Sequence, residues 1–134
     1  MEGTDQLLPS QSGNTGSVAV LTSADRARLV LAGEIDITIE PDLAEAVSEL
    51  LSLGLPVDID ARNVNFMDSS ALSGIARLSS QLNYRPRFIS PPESVLFLLS
   101  VTRVLDDVDI VDQDPGFEGL PQADGVPSTD GRDK

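Results

Sequence analysis

The chain has 134 residues, a length that fits one domain. Its 22 acidic residues outnumber 9 basic ones, and the net charge of −13 disfavours nucleic acid and anionic membrane as partners. Cys and His are absent and the single Lys is Lys134, so disulfides, thiolate or imidazole catalysis, Cys- or His-ligated metals and Walker or Schiff-base lysines are excluded.

In chain order, residues 1–16 are polar and aperiodic, and read as a flexible tail. Met1 to Ser10 has no basic residue and no long apolar run, so no secretory leader is expected and the expected location is cytoplasmic. Ser17 to Thr22 and Ala27 to Ile35 read as a hairpin around Ser23 to Arg26. Glu40-Pro41-Asp42 opens a helix, and Leu43, Ala46, Val47, Leu50 and Leu51 form its buried stripe. Gly54 and Pro56 end it. Val57 to Ala61 is a short strand, followed by a loop from Asn63 to Asp68. A second helix runs from Ser69 or Ser70 to Leu82, with Leu72, Ile75, Ala76 and Leu82 facing inward. Arg87 to Ser90 is a strand and Glu93 to about Leu105 a third helix, whose VLFLL run predicts burial on more than one side. Val108 to Val111 is the last strand.

The alternation implies parallel strands with right-handed crossovers: an α/β fold with a small, mostly parallel mixed sheet, an N-terminal hairpin and three to four helices. The domain is expected over residues 17–112. Residues 113–134, rich in Pro, Gly and Asp, are expected to be a disordered tail, either solubilising or a partner segment around Phe117 and Leu120.

Three short motifs carry polar chemistry. Gly33-Glu34-Ile35-Asp36 ends the second strand, where Gly allows a strained turn and Asp36 can start the next helix. Asp58-Ile59-Asp60 puts two carboxylates on one face of a strand, as a phosphotransfer pair would, but without the buried lysine such a site wants. Asp68-Ser69-Ser70 precedes an apolar periodic run, so Asp68 or Ser69 can cap the helix. The same geometry places a hydroxyl where backbone N–H groups are free and the helix dipole is positive, a place where a phosphoryl group would be held.

GEID, then NVNFMDSSALSGI about thirty residues on, then FISPPESV, resembles the STAS domain of bacterial anti-sigma factor antagonists (anti-anti-sigma factors). The resemblance spans about residues 17–112 and implies a single STAS-like domain. It implies a transcription regulator that is a binding protein and not an enzyme, with no cofactor and no catalytic or metal-binding residue. It would bind an ATP-dependent serine-kinase anti-sigma factor and so release a sigma factor. Asp36, Asp68, Ser69 and Ser70 would meet that partner. Ser69, directly after the motif Asp, would be the phosphorylated residue, and a PP2C-type serine phosphatase would restore binding. Two departures stand out: Ala71 replaces the usual Gly after the hydroxyl pair, and Val101-Thr102-Arg103-Val104 replaces a late Gly-Leu-type turn. The alternatives are a STAS module sensing a nucleotide or other small ligand, with Arg62 and Arg77 as phosphate donors, and an acid–base enzyme using Asp58 and Asp60.

Overall fold

A computed structural model describes residues 16–117. The expected tail over residues 1–15 and the part of the expected C-terminal tail over 118–134 lie outside the described residues. The elements are β1 (Ser17–Thr22), β2 (Ala27–Ile35), a 3-10 turn (Ile37–Ile39), α1 (Glu40–Leu53), β3 (Val57–Met67), α2 (Ser69–Gln81), β4 (Arg87–Ile89), α3 (Glu93–Val101), a second 3-10 turn (Val104–Asp107) and β5 (Asp109–Val111).

The five strands form one sheet in chain order, β1-β2-β3-β4-β5. β1 pairs antiparallel with β2, and the remaining pairs are parallel. Three successive right-handed crossovers in one direction put all three helices on one face of the sheet. The core lies between that face and the helices: Leu29, Leu31 and Ile35 of β2, Ile59 and Ala61 of β3 and Phe88 of β4 meet Leu43, Val47 and Leu50 of α1, Ile75 and Leu78 of α2 and Leu99 of α3. As expected of its stripe, α1 buries Leu43, Ala46, Val47 and Leu50, while Leu51 is half-buried. Pro41 sits in its first turn, and Gly54 closes it in the left-handed region at φ 68°. α2 buries Leu72 and Ile75, and also Ala71 and Leu78; Ala76 and Leu82 are only half-buried.

Three expectations need correction. Asn63 to Met67 is strand, not loop. It pairs with β2 through Ala32–Asn63, Gly33–Val64, Glu34–Phe66 and Ile35–Met67. Two register shifts each place an extra residue in β3, so its buried positions run Ala61, Val64, Met67, spaced by three rather than two. The first shift follows Val30; the second follows Gly33, which faces the bulge from β2 with a left-handed φ of 78°. α3 ends at Val101, four residues early, because Arg103 takes a left-handed φ of 70° and starts the second 3-10 turn. The VLFLL run is buried on one side only: Val95 and Leu99 are buried, whereas Phe97 is 67% exposed.

Candidate functional site

The carboxyl ends of β2 and β3 form one rim of the sheet, the place where parallel α/β sheets present ligand and partner sites. The Asp68 N–H donates to Ile35 O at 3.2 Å, which ties the two strand ends together. Each strand is followed by an aspartate that caps a helical turn. Asp36 Oδ1 accepts from Thr38 N at 3.0 Å and from Thr38 Oγ1. These bonds, first from the Thr38 hydroxyl and then from its N–H, lower the Asp36 pKa and keep it ionised. Asp68 Oδ1 accepts from Ala71 N at 3.1 Å, closing the first turn of α2.

Ser69 is the first helical residue and is exposed; Ser70 follows, half-exposed. Ser69 O accepts from Ser73 Oγ at 3.1 Å, but among the described residues nothing is bonded to the Ser69 or Ser70 hydroxyl. The capped turn thus holds a free hydroxyl outward at the positive end of a 13-residue helix. Ala71 is fully buried as the third helical residue, and its N–H takes the cap, so the missing glycine is accommodated within the helix. Gly74, one turn on, is where α1 comes close: a Cβ there would meet Leu43 Cδ2 at 3.2 Å.

Asp36, Asp68, Ser69 and Ser70 therefore share one rim. Two residues with no role in the sequence reading join them. Ile37, next to Asp36, is 61% exposed, and Phe66, two residues before Asp68, is 50% exposed. Both are large apolar side chains in solvent beside the polar caps. The bulged register exposes Phe66 beside buried Met67, and no simple alternation in the sequence marks it.

Asp58 and Asp60 lie elsewhere, on the sheet face without helices. Asp58 is fully buried and takes Arg87 Nε at 2.8 Å, Arg87 Nη2 at 3.0 Å, Arg26 Nη2 at 2.7 Å and Arg28 Nη2 at 3.4 Å. Burial alone would raise its pKa; the hydrogen bonds from Arg87 and Arg26 outweigh that, and the net shift is downward. Asp60 takes Arg62 at 2.7 Å and lies 3.8 Å from Arg28; the Arg62 hydrogen bond leads the lowering of its pKa. The pair is the hub of an arginine network. Arg62 is held in that network, while Arg77, on α2, donates to Ser48 Oγ at 3.4 Å. The two arginines do not converge on a phosphate site. Among the described residues no group of three or more acidic side chains is placed to hold a metal ion.

A sequence profile for the STAS domain matches residues 20–115. The chain belongs to the STAS domain family. The STAS fold recurs in an anti-sigma factor antagonist from Mycobacterium paratuberculosis, with a TM-score of 0.64 at 17% identity over 78% of this chain and 90% of that one. It recurs in the anti-sigma factor antagonist SpoIIAA in its unphosphorylated form (TM-score 0.59, 15% identity, 73% of this chain, 90% of that one). The phosphorylated form of the Bacillus cell fate determinant SpoIIAA is similar again (0.58, 14%, 72% and 92%). No curated protein matches the sequence. No described helix of this STAS protein is long and apolar enough to cross a membrane.

Proposed function

We propose that this STAS domain is an anti-sigma factor antagonist. It binds an anti-sigma factor of the ATP-dependent serine-kinase type in the bacterial cytoplasm and so frees a sigma factor. Phosphorylation of Ser69 breaks the complex, and a PP2C-type serine phosphatase restores it. The observation that carries this reading is the exposed Ser69 hydroxyl, set in the first turn of α2 behind the Asp68 cap. Asp36, Asp68, Ser69 and Ser70 contact the partner, and ATP and Mg²⁺ belong to that partner. The STAS domain itself is a ligand and a phosphate acceptor, not a catalyst.

The sign of the switch follows from charge. A phosphate adds about −1.5 to −2 charge beside Asp68 and Asp36, in a chain already at −13. Facing the nucleotide phosphates of a kinase across a desolvated contact, like charges cost several kcal/mol, and about 1.4 kcal/mol is a tenfold loss of affinity. The helix N-terminus offsets part of the repulsion inside the domain, so the fold survives and only the complex suffers. The test is Ser69→Ala and Ser69→Glu, with folding and binding to the kinase measured separately. The Ala variant should bind and resist phosphorylation; its destabilisation should stay small, because the cap is Asp68. The Glu variant should fold and bind at least tenfold more weakly. Phosphate mapped to another residue, or a Glu variant that binds like wild type, refutes the switch.

A further inference from the structure

We infer that the helix-free face of the sheet, around Arg28, is a docking site for an acidic segment with an aromatic ring three residues after an aspartate, and that the chain fills this site with its own Asp114 and Phe117. The face is built by register. Arg28, Asp58, Arg87 and Asp109 stand in one row across β2, β3, β4 and β5. In the neighbouring row, Val30 stands beside Asp60 and Asp60 beside Ile89. Arg26, Arg28, Arg62 and Arg87 are gathered there against Asp58 and Asp60, so the sheet alone leaves positive charge in excess on a strongly acidic protein.

The chain returns over this face after β5. Ser90 N donates to Val111 O at 2.8 Å and Ser90 Oγ donates to Asp112 O, which aims the segment back across the sheet. Asp114 then grips Arg28 with both oxygens, at 2.9 and 3.1 Å, and takes Arg62 at 3.3 Å. Gly116, at φ 95°, turns the segment with its N–H on Asp114 Oδ1 at 2.8 Å. Phe117 comes to rest with its ring centroid 4.9 Å from the Arg28 guanidinium carbon, a cation–π contact. Phe117 is buried, and Ile89, which points away from the helices, is fully buried. A carboxylate fork and a ring on one arginine are a recognition geometry, not a loose tail lying on a surface.

The occupant also fits imperfectly. Arg28 is 5% exposed, yet its buried Nε has no acceptor among the described residues. A buried guanidinium with a donor left over can be bound better by a segment that reaches it. The Asp114–Phe117 segment therefore acts as a tethered plug. A tether this short gives an effective concentration of about millimolar, so a free peptide competes poorly until the plug is removed. The site lies toward the amino ends of β2 and β3. Arg62, the part of the site nearest the rim along β3, is six residues of extended chain from Asp68, about 20 Å, so a ligand there does not touch the rim that carries Ser69.

The probe is a fluorescent peptide of residues 113–120 (QDPGFEGL), with QNPGAEGL as control, titrated by anisotropy into two full-length proteins. One is wild type; the other carries Asp114→Ala and Phe117→Ala. The double variant should bind QDPGFEGL at least tenfold more tightly than wild type does, and at least tenfold more tightly than it binds the control. Equal binding by both proteins, no binding to the double variant, or equal binding of the two peptides overturns the inference. Should the double variant fail to fold, amide hydrogen exchange on wild type decides the matter. The Gly116 amide should exchange at least tenfold faster than those of Leu29 and Ile59, through local release of the plug. Exchange as slow as those core amides would mean that the segment leaves only on global unfolding, and the docking site would be refuted.

Discussion

Replacing Asp58 by Asn keeps the volume at the centre of the arginine network and removes its charge. Three guanidiniums then lose their common acceptor: Arg28, 6% exposed at its side chain, and Arg26 and Arg87, 29% and 28% exposed. Removing one partner of a buried ion pair costs about 3–5 kcal/mol, because the remaining charge stays buried without compensation. Arg28 would keep Asp60 at 3.8 Å and Asp114 at 2.9 Å, which holds the expected cost below the top of that range. For a small domain with a urea m-value of about 2 kcal/mol/M, a loss of about 4 kcal/mol moves the unfolding midpoint down by about 2 M. Asp60→Asn is the internal control. Its main partner, Arg62, is 42% exposed and solvent screens the pair, so the expected loss is about 1 kcal/mol or less. The acid limb gives a second check. The Asp58 pKa is lowered on folding, so its contribution is present above the unfolded value of about 3.9 and disappears as pH falls below it. Wild type should lose stability on acidification below about pH 4, and Asp58→Asn should lose less. A midpoint shift equal to that of Asp60→Asn, or an unchanged acid limb, would show that the network is solvated like a surface pair.

Leu50→Ala should cost about 2–5 kcal/mol, since Leu50 is fully buried at the middle of the α1 stripe; urea unfolding reads it, and a loss under about 0.5 kcal/mol would deny the stripe its core role. Gly74→Val should separate α1 from α2, because even one Cβ at that position is 3.2 Å from Leu43; a loss of about 1–3 kcal/mol is expected by thermal melting, with Gly74→Ala milder. Asp114 has its pKa lowered to about 2, led by the Arg28 hydrogen bond. Its stabilisation is therefore complete above the unfolded value of about 3.9 and is lost as pH falls toward 2; Asp114→Asn should flatten stability over that window and leave the neutral-pH fold intact, as followed by circular dichroism.

Much of the fold is local and was legible. The hairpin, the Pro41 and Gly54 boundaries of α1 and the Asp68 cap of α2 each follow from a few neighbouring residues. What escaped depends on distant partners or on backbone conformation. β3 hides its second half because two bulges replace strand alternation by a three-residue spacing. α3 stops where Arg103 adopts a conformation normally left to Gly, which no residue preference signals. Asp58 and Asp60 were correctly put on one face, but the arginines that claim them come from 29 to 32 residues away for Asp58, and Asp114 reaches Arg28 across 86. At the rim, Asp36, Asp68 and the serines could be found because capping needs particular side chains at particular places. Ile37 and Phe66 could not, since an apolar residue in a sequence reads as core until its exposure is known.

The distribution of arginines bears on how a phosphate at Ser69 would act. In many switches a new phosphate is captured by arginines of the same chain, and the segment is reordered around it. Here, among the described residues, all the arginines but Arg77 are ion-paired away from Ser69. Arg26, Arg28, Arg62 and Arg87 are engaged by Asp58, Asp60 and Asp114 on the helix-free face; Arg85 pairs with Asp109 and Arg103 with Asp106. Arg77 is the arginine of α2; it stands two turns beyond Ser70, about 10 Å along the axis, and lines one pocket with Ser70 and Ser73. The network on the other face comes no nearer along β3 than Arg62, about 20 Å away, more than two Debye lengths at physiological salt. Among the described residues, a phosphate on Ser69 would thus meet the free N–H groups of the first turn beside the Asp68 and Asp36 side chains. Its charge would stay at the surface, on the rim that also exposes Ile37 and Phe66. On the function proposed above, the domain would need no internal rearrangement to be switched, because the change would be made on the rim proposed to meet the partner.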